Sequence, residues 1–173
     1  LSNPLTGDPI ETDYLNRALL AAGNFSDGDF IPVTPVWTSK WLNDKLEDFG
    51  YSTIDEFYYT DREELLIGTN TNEIEDQFQI DEIADSWSDG VGIINYRGWG
   101  DAQGWKYPAF QNENISEDLD YSWQLPVVMS FVCNTGDFGN DQHNPCFGEK
   151  LIKEGDFSAP KGAVAVVGPS DLD

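Results

Sequence analysis

The run Val127-Val128-Met129-Ser130-Phe131-Val132 is apolar at every position but one, and Cys133-Asn134-Thr135-Gly136-Asp137 follows it at once. With no polar alternation, both faces of such a segment call for cover, which marks an inner strand of a sheet flanked by helices. Asn134 to Asp137 are strand breakers, so the strand ends at Cys133. Open α/β sheets bind their ligands outside the carboxyl ends of their strands, and a cysteine delivered there is placed as a nucleophile. The same residue also reads as a small buried hydrophobe, the commoner fate of a free cysteine. The run alone leaves both readings open.

A second apolar run, Val91-Gly92-Ile93-Ile94, ends in the glycine-punctuated loop Asn95-Tyr96-Arg97-Gly98-Trp99-Gly100. Earlier in the chain, Ala18 to Ala22 closed by Gly23 predicts a first inner strand. From Val36 to Phe49, Trp37, Trp41, Leu42, Leu46 and Phe49 recur at helical spacing with Gly50 as cap, predicting a helix that turns this aromatic stripe into the core. Ile54 to Tyr59 predicts a second strand and 61–71 a polar connection. A helix then begins near Asn70 or Thr71, with Glu73 in its first turn and Ile74, Phe78, Ile83, Ala84 and Trp87 on one face, ending at Gly90. Asp101 to Gln124 is expected to wall the carboxyl edge of the sheet. Leu151 and Ile152 belong to a short helix, and Ala163 to Val167 to one more buried strand. Strands alternating with helices give an α/β fold, a mostly parallel sheet with helices on both faces.

At this point the chain resembles the gingipain-type cysteine peptidases, peptidase family C25, whose catalytic domain is a caspase-like three-layer sandwich. The resemblance rests on Asn95, Tyr96, Gly98 and Gly100 in the first loop, and on Cys133, Gly136, Asp137, Phe138, Pro145, Cys146 and Phe147 in the second. It implies that Cys133 is the nucleophile and that the backbone N–H groups of Gly100 and Cys133 form the oxyanion hole. It also places Trp99 where the family carries its catalytic histidine. An indole cannot accept a proton from a thiol. His143, the only histidine of the chain, lies in a loop about two residues longer than the family's and is the one available substitute base. Whether Cys133 and Cys146 pair is left open by their separation in sequence.

Two functions follow from the same residues. One is proteolysis by a cysteine peptidase that is impaired or silenced by Trp99. The other is a non-catalytic caspase-like domain that binds a peptide or protein in an aromatic cleft formed by Trp99, Trp105 and Tyr107.

Composition narrows the partners. The 173 residues, 39% of them hydrophobic, suffice for one substantial core, read as a lead-in over 1–16 and a domain over 17–173. The resemblance implies that this domain is truncated at its C-terminal end and belongs to a larger secreted or cell-surface bacterial polypeptide. A net charge of −23 argues against nucleic acid or anionic membrane as partner. Most of the 32 carboxylates read as a salt-adapted, solvated surface. No cofactor is required by the chemistry, and structural calcium is the sharper alternative, with Asp27, Asp29 and Asp101 as its candidate ligands. No stretch approaches the ~20 apolar residues of a membrane span. Asn24 and Asn114 fit the glycosylation pattern by chance.

Overall fold

The structure, a computed structural model, describes residues 2–23, 35–59 and 76–171. Five parallel strands make the main sheet: β1 (Arg17–Gly23), β2 (Thr53–Tyr59), β3 (Ile93–Arg97), β7 (Val127–Phe131) and β8 (Ala165–Val167), in the order β2-β1-β3-β7-β8. Between β3 and β7 lie β4 (Gly100–Asp101), β5 (Gly104–Lys106) and β6 (Ala109–Gln111), a small antiparallel sheet. The helices are α1 (Pro35–Asp48), α2 (Asp76–Ser88), α3 (Asn112–Glu117) and α4 (Phe147–Lys153). The 61–71 connection, the helix start near Asn70 or Thr71, Glu73 and Ile74 lie outside the described residues, as do Asp27, Asp29 and Asn24.

Strand β1 is central because its sequence, Arg-Ala-Leu-Leu-Ala-Ala-Gly, is small or apolar on both faces, and every residue after Arg17 is buried. One face, with Ala18, Leu20 and Ala22, packs under α1 against Val36, Leu46 and Tyr58. The other, with Leu19 and Ala21, joins Ile94, Tyr96 and Val128 beneath Ile83, Ala84 and Trp87 of α2, and Phe147 and Leu151 of α4. Helices thus cover both faces, as a three-layer sandwich requires. Each fully buried large apolar side chain here contributes roughly 1.5 to 3 kcal/mol by its removal from water.

Three expectations about burial are corrected. In α1 the buried positions are Val36, Ser39 and Leu46, while Trp37 and Trp41 are half exposed and Phe49 is 83% exposed. The aromatic stripe lies beside the face that packs and is not part of the core. Strand β7 is an inner strand, yet Val127 and Phe131 are exposed on one face, and in β8 Val167 is exposed too. These residues share the sheet face of Ala18 and Ile93, and α1 packs over β1, β2 and β3, too far along the sheet to cover them.

The carboxyl half is fastened by polar contacts. The indole N–H of Trp87 donates to Gly162 O at 3.0 Å, and Lys161, almost fully buried, donates to Ser116 O at 2.8 Å. Asn114 is buried, its Oδ1 accepting from Gln111 N–H as part of the cap of α3 and its amide N–H donating to Asp118, which leaves it no access to a glycosylating enzyme. Lys150 meets Glu154 at 2.6 Å and is the main cause holding the Glu154 carboxyl below its ordinary value, with burial opposing. Because the folded value is depressed, this contribution is present above about pH 4.5 and is lost as pH falls through the folded value. Glu154→Gln is therefore expected to be less stable than the parent at neutral pH, and the two should converge in acid; urea midpoints from pH 7 down to pH 3 check this.

Candidate active site at the carboxyl edge of the sheet

Strands β3 and β7 are parallel neighbours whose last register pair is Arg97 with Phe131. Trp99 and Cys133 each stand two residues beyond that pair, so the two motif loops leave the sheet side by side. A Cβ built on Gly100 would lie 3.2 Å from Val132 Cγ2 and 2.5 Å from Gly104 O, which places the first loop directly against the residue preceding Cys133. No side chain fits there.

The turn after the cysteine is tight. Asn134 has φ +58°, the left-handed region that asparagine tolerates, and Asp137 N–H closes on Asn134 O at 3.0 Å. Thr135 is fully buried, its hydroxyl donating to Val132 O. Gly136 N–H donates to Pro169 O, and a Cβ at Gly136 would meet Gly168 O at 2.5 Å. Cys133 and Cys146 are not joined in a disulfide; Cys133 is half buried, and Cys146 is buried to 1% exposure at the head of α4. Next to it, Phe147 N–H donates to Ala102 O and Gly148 N–H to Thr135 O, so the start of α4 ties both loops together. The Gly136 and Pro145-Cys146-Phe147 motif residues serve as scaffolding.

Tyr96, which spacing alone did not single out, anchors the first loop. Fully buried, its ring stacks on Trp105 at 4.4 Å and 6°, and its hydroxyl lies 2.8 Å from Trp99 O and 3.0 Å from Tyr107 O. Burial is the main cause raising its pKa well above the ordinary value, so it stays a neutral donor. Tyr96→Phe is expected to cost about 1 to 3 kcal/mol, because the Tyr107 carbonyl loses its hydroxyl donor while Trp99 O keeps only Lys106 N–H, and to speed amide exchange in the 98–107 loop.

The ladder between β4 and β5 bears on the proposed oxyanion donors. Lys106 N–H donates to Trp99 O, so the pair Gly100–Trp105 occupies the non-hydrogen-bonded position, and the N–H of Gly100 points away from β5. Trp99 is 53% exposed and leans on Tyr107, which in turn leans on Tyr59 at 4.7 Å. Trp105 is a correction. It is fully buried among Trp87, Tyr96, Phe110 and Phe147, with its indole N–H on Ser130 Oγ at 2.9 Å, and belongs to the core instead of a cleft. Its place in β5, facing α2 and α4, decides this.

His143 lies in a loop shaped by Asn140, whose side chain accepts from His143 N–H and donates to His143 O. His143 lines a polar cleft of about 430 Å³ with Gln103, Asn112, Gln142 and Lys150, and the residues lining it include neither Cys133 nor Trp99. Asp101 accepts from Gln103 N–H and pairs with Lys106 at 3.1 Å. Among the described residues no group of three or more His, Cys, Asp or Glu is arranged to hold a metal ion. We expect added monovalent salt to raise the melting temperature by screening the net charge of −23, and millimolar calcium to add little beyond its ionic strength. A large calcium-specific rise in a melting scan would instead demand a site.

Comparison with known proteins bears on this edge. Gingipain R2 of Porphyromonas gingivalis is 32% identical over 85 residues, which are 49% of this chain and 11% of that protein. Gingipain R1 matches equally over 8% of its length. The chain therefore spans only a small part of these relatives. Among solved structures, that of the Arg-specific cysteine proteinase gingipain R (RgpB) superposes with a TM-score of 0.73 at 22% identity, covering 94% of this chain and 34% of that one. The complex of RgpB pro- and mature domains gives 0.72. These likenesses place the sheet and its helices in the caspase-like fold. No helix of the described residues is long and apolar enough to cross a membrane. The pattern of Peptidase family C25 matches residues 6–172, nearly the whole chain, and the chain belongs to that family.

Proposed function

We propose that this chain is a gingipain-like peptidase domain that holds a peptide at the carboxyl edge of its sheet beside Cys133, with its hydrolytic activity impaired or lost because Trp99 stands in for the general base. The observation that carries this is the register of β3 and β7, which sets positions 99 and 133 at equal depth past adjacent parallel strands. In a working site the thiolate sulfur adds to the peptide carbonyl carbon. The oxyanion is held by the N–H groups of Gly100 and Cys133, and the leaving amine takes up a proton. Trp99 cannot accept the thiol proton or pass it to the amine, and removal of that step typically costs about 10²- to 10⁴-fold. The Gly100 N–H, off the β4–β5 ladder, supports retention of the backbone half of the site.

A second reading has support of its own. Trp99 and Tyr107 offer an exposed aromatic surface next to the cysteine, suited to binding a peptide or protein without cleaving it. Hydrolysis of a peptide library by the full-length protein separates the two. Slow turnover abolished by Cys133→Ala supports an impaired peptidase, whereas binding unaffected by that change, with no turnover, supports the non-catalytic domain. By family resemblance the protein is secreted or displayed at a bacterial surface as part of a longer polypeptide.

A further inference from the structure

Arg97 closes β3, is exposed, and lies in register between Ala22 of β1 and Phe131 of β7. The chain has nine cationic side chains against 32 carboxylates, so a cation seldom lacks a partner. Lys45, Lys106, Lys150 and Lys153 pair with acids, and Arg17 and Lys161 donate to backbone carbonyls. Among the described residues Arg97 has no such partner. Across the ladder it faces a methyl group and a phenyl ring that is 49% exposed, and neither can satisfy the five donors of a guanidinium. Asp101, the carboxylate nearest to Arg97 in sequence, is engaged by Lys106, and Asp137, beyond Cys133 in the neighbouring loop, accepts from Gly139 N–H.

The position bears on specificity. Arg97 precedes Trp99 by two residues and Phe131 precedes Cys133 by two, about 6.6 Å along a strand, which is the reach of one or two residues of an extended peptide. Guanidinium matches a carboxylate in two parallel hydrogen bonds, and an apolar wall such as the Phe131 ring strengthens the pair by excluding water. We propose that Arg97 and Phe131 form a subsite for an acidic side chain, Asp or Glu, of a peptide bound at the Cys133 edge; this rests on that edge being the peptide site. In a chain so acidic, the subsite turns a general repulsion of acidic ligands into local selection.

The test uses the full-length protein and fluorescein-labelled peptide amides that differ at one residue, Asp, Asn or Arg, together with chloromethyl ketones of the same three. The Asp peptide is expected to bind roughly tenfold more tightly than the Asn peptide, and Arg97→Gln to reduce that ratio below twofold at an unchanged melting temperature. Equal binding of the Asp and Asn peptides, or tighter binding of the Arg peptide, would overturn the subsite. So would an Arg97→Gln protein that melts lower while the Asp to Asn ratio stays put, since the arginine would then serve its own chain. If no ketone labels Cys133 yet the Arg97-dependent Asp preference persists, the nucleophile reading fails and the subsite stands.

Discussion

Replacing Trp99 by histidine is expected to move the pH midpoint of Cys133 alkylation down by more than one unit. An ordinary thiol titrates near 8.5, and an imidazolium beside it favours the thiolate. A shift of about 1.5 units raises the thiolate fraction at pH 7 from roughly 3% to roughly 50%. The more acidic thiolate is a weaker nucleophile, with a Brønsted slope near 0.4 to 0.5, so the net gain in rate is only about three- to fourfold. The midpoint is therefore the better readout. Because Trp99 is half exposed, the substitution should cost about 1 kcal/mol and leave the protein folded. An unchanged midpoint in a folded variant would mean that position 99 does not face the cysteine.

Trp105→Ala is expected to be the most damaging single truncation at this edge. It removes the ring on which Tyr96 stacks and the donor to Ser130 Oγ, and opens a cavity where Trp87, Phe110 and Phe147 converge. Truncations of this kind cost about 3 to 5 kcal/mol, or roughly 6 to 20 °C in melting temperature for a chain of this size. Trp99→Ala should cost about 1 kcal/mol or less. The contrast in a thermal melt separates a core tryptophan from a surface one, and similar losses for both would contradict the burial described here.

That contrast also marks the limit of what the sequence discloses. Strands β1, β3 and β7 were legible because each is a compact apolar run bounded by glycine or polar breakers, and β2 from the weaker alternation of Ile54 to Tyr59. The placement of Cys133 and Trp99 followed from where two such runs stop. The antiparallel β4–β6 sheet was not legible, since strands of two or three residues carry no period, and Trp105 was consequently read as cleft when it is core. Helix α1 was found and Leu42 and Leu46 of its stripe do pack on the sheet, but its aromatic residues do not. Trp37 and Trp41 dominate a hydrophobic count, yet Val36 and Leu46 pack with β1 and Ser39 is buried. Small residues pack where the helix approaches the sheet closely, and large aromatics at its flank remain half in water. The role of Tyr96 was hidden for another reason, because its partners are carbonyls whose positions only the folded loop defines.

The central claim is that Cys133 sits in a peptide site from which the base has been lost. The most direct measurement is the rate of Cys133 labelling by a peptide chloromethyl ketone as a function of its concentration, in the parent and in His143→Ala. Labelling is expected to saturate with peptide concentration, because the site binds before it reacts, at a rate the His143→Ala change leaves unaltered. Labelling that rises linearly without saturation, or that disappears with His143, would contradict it.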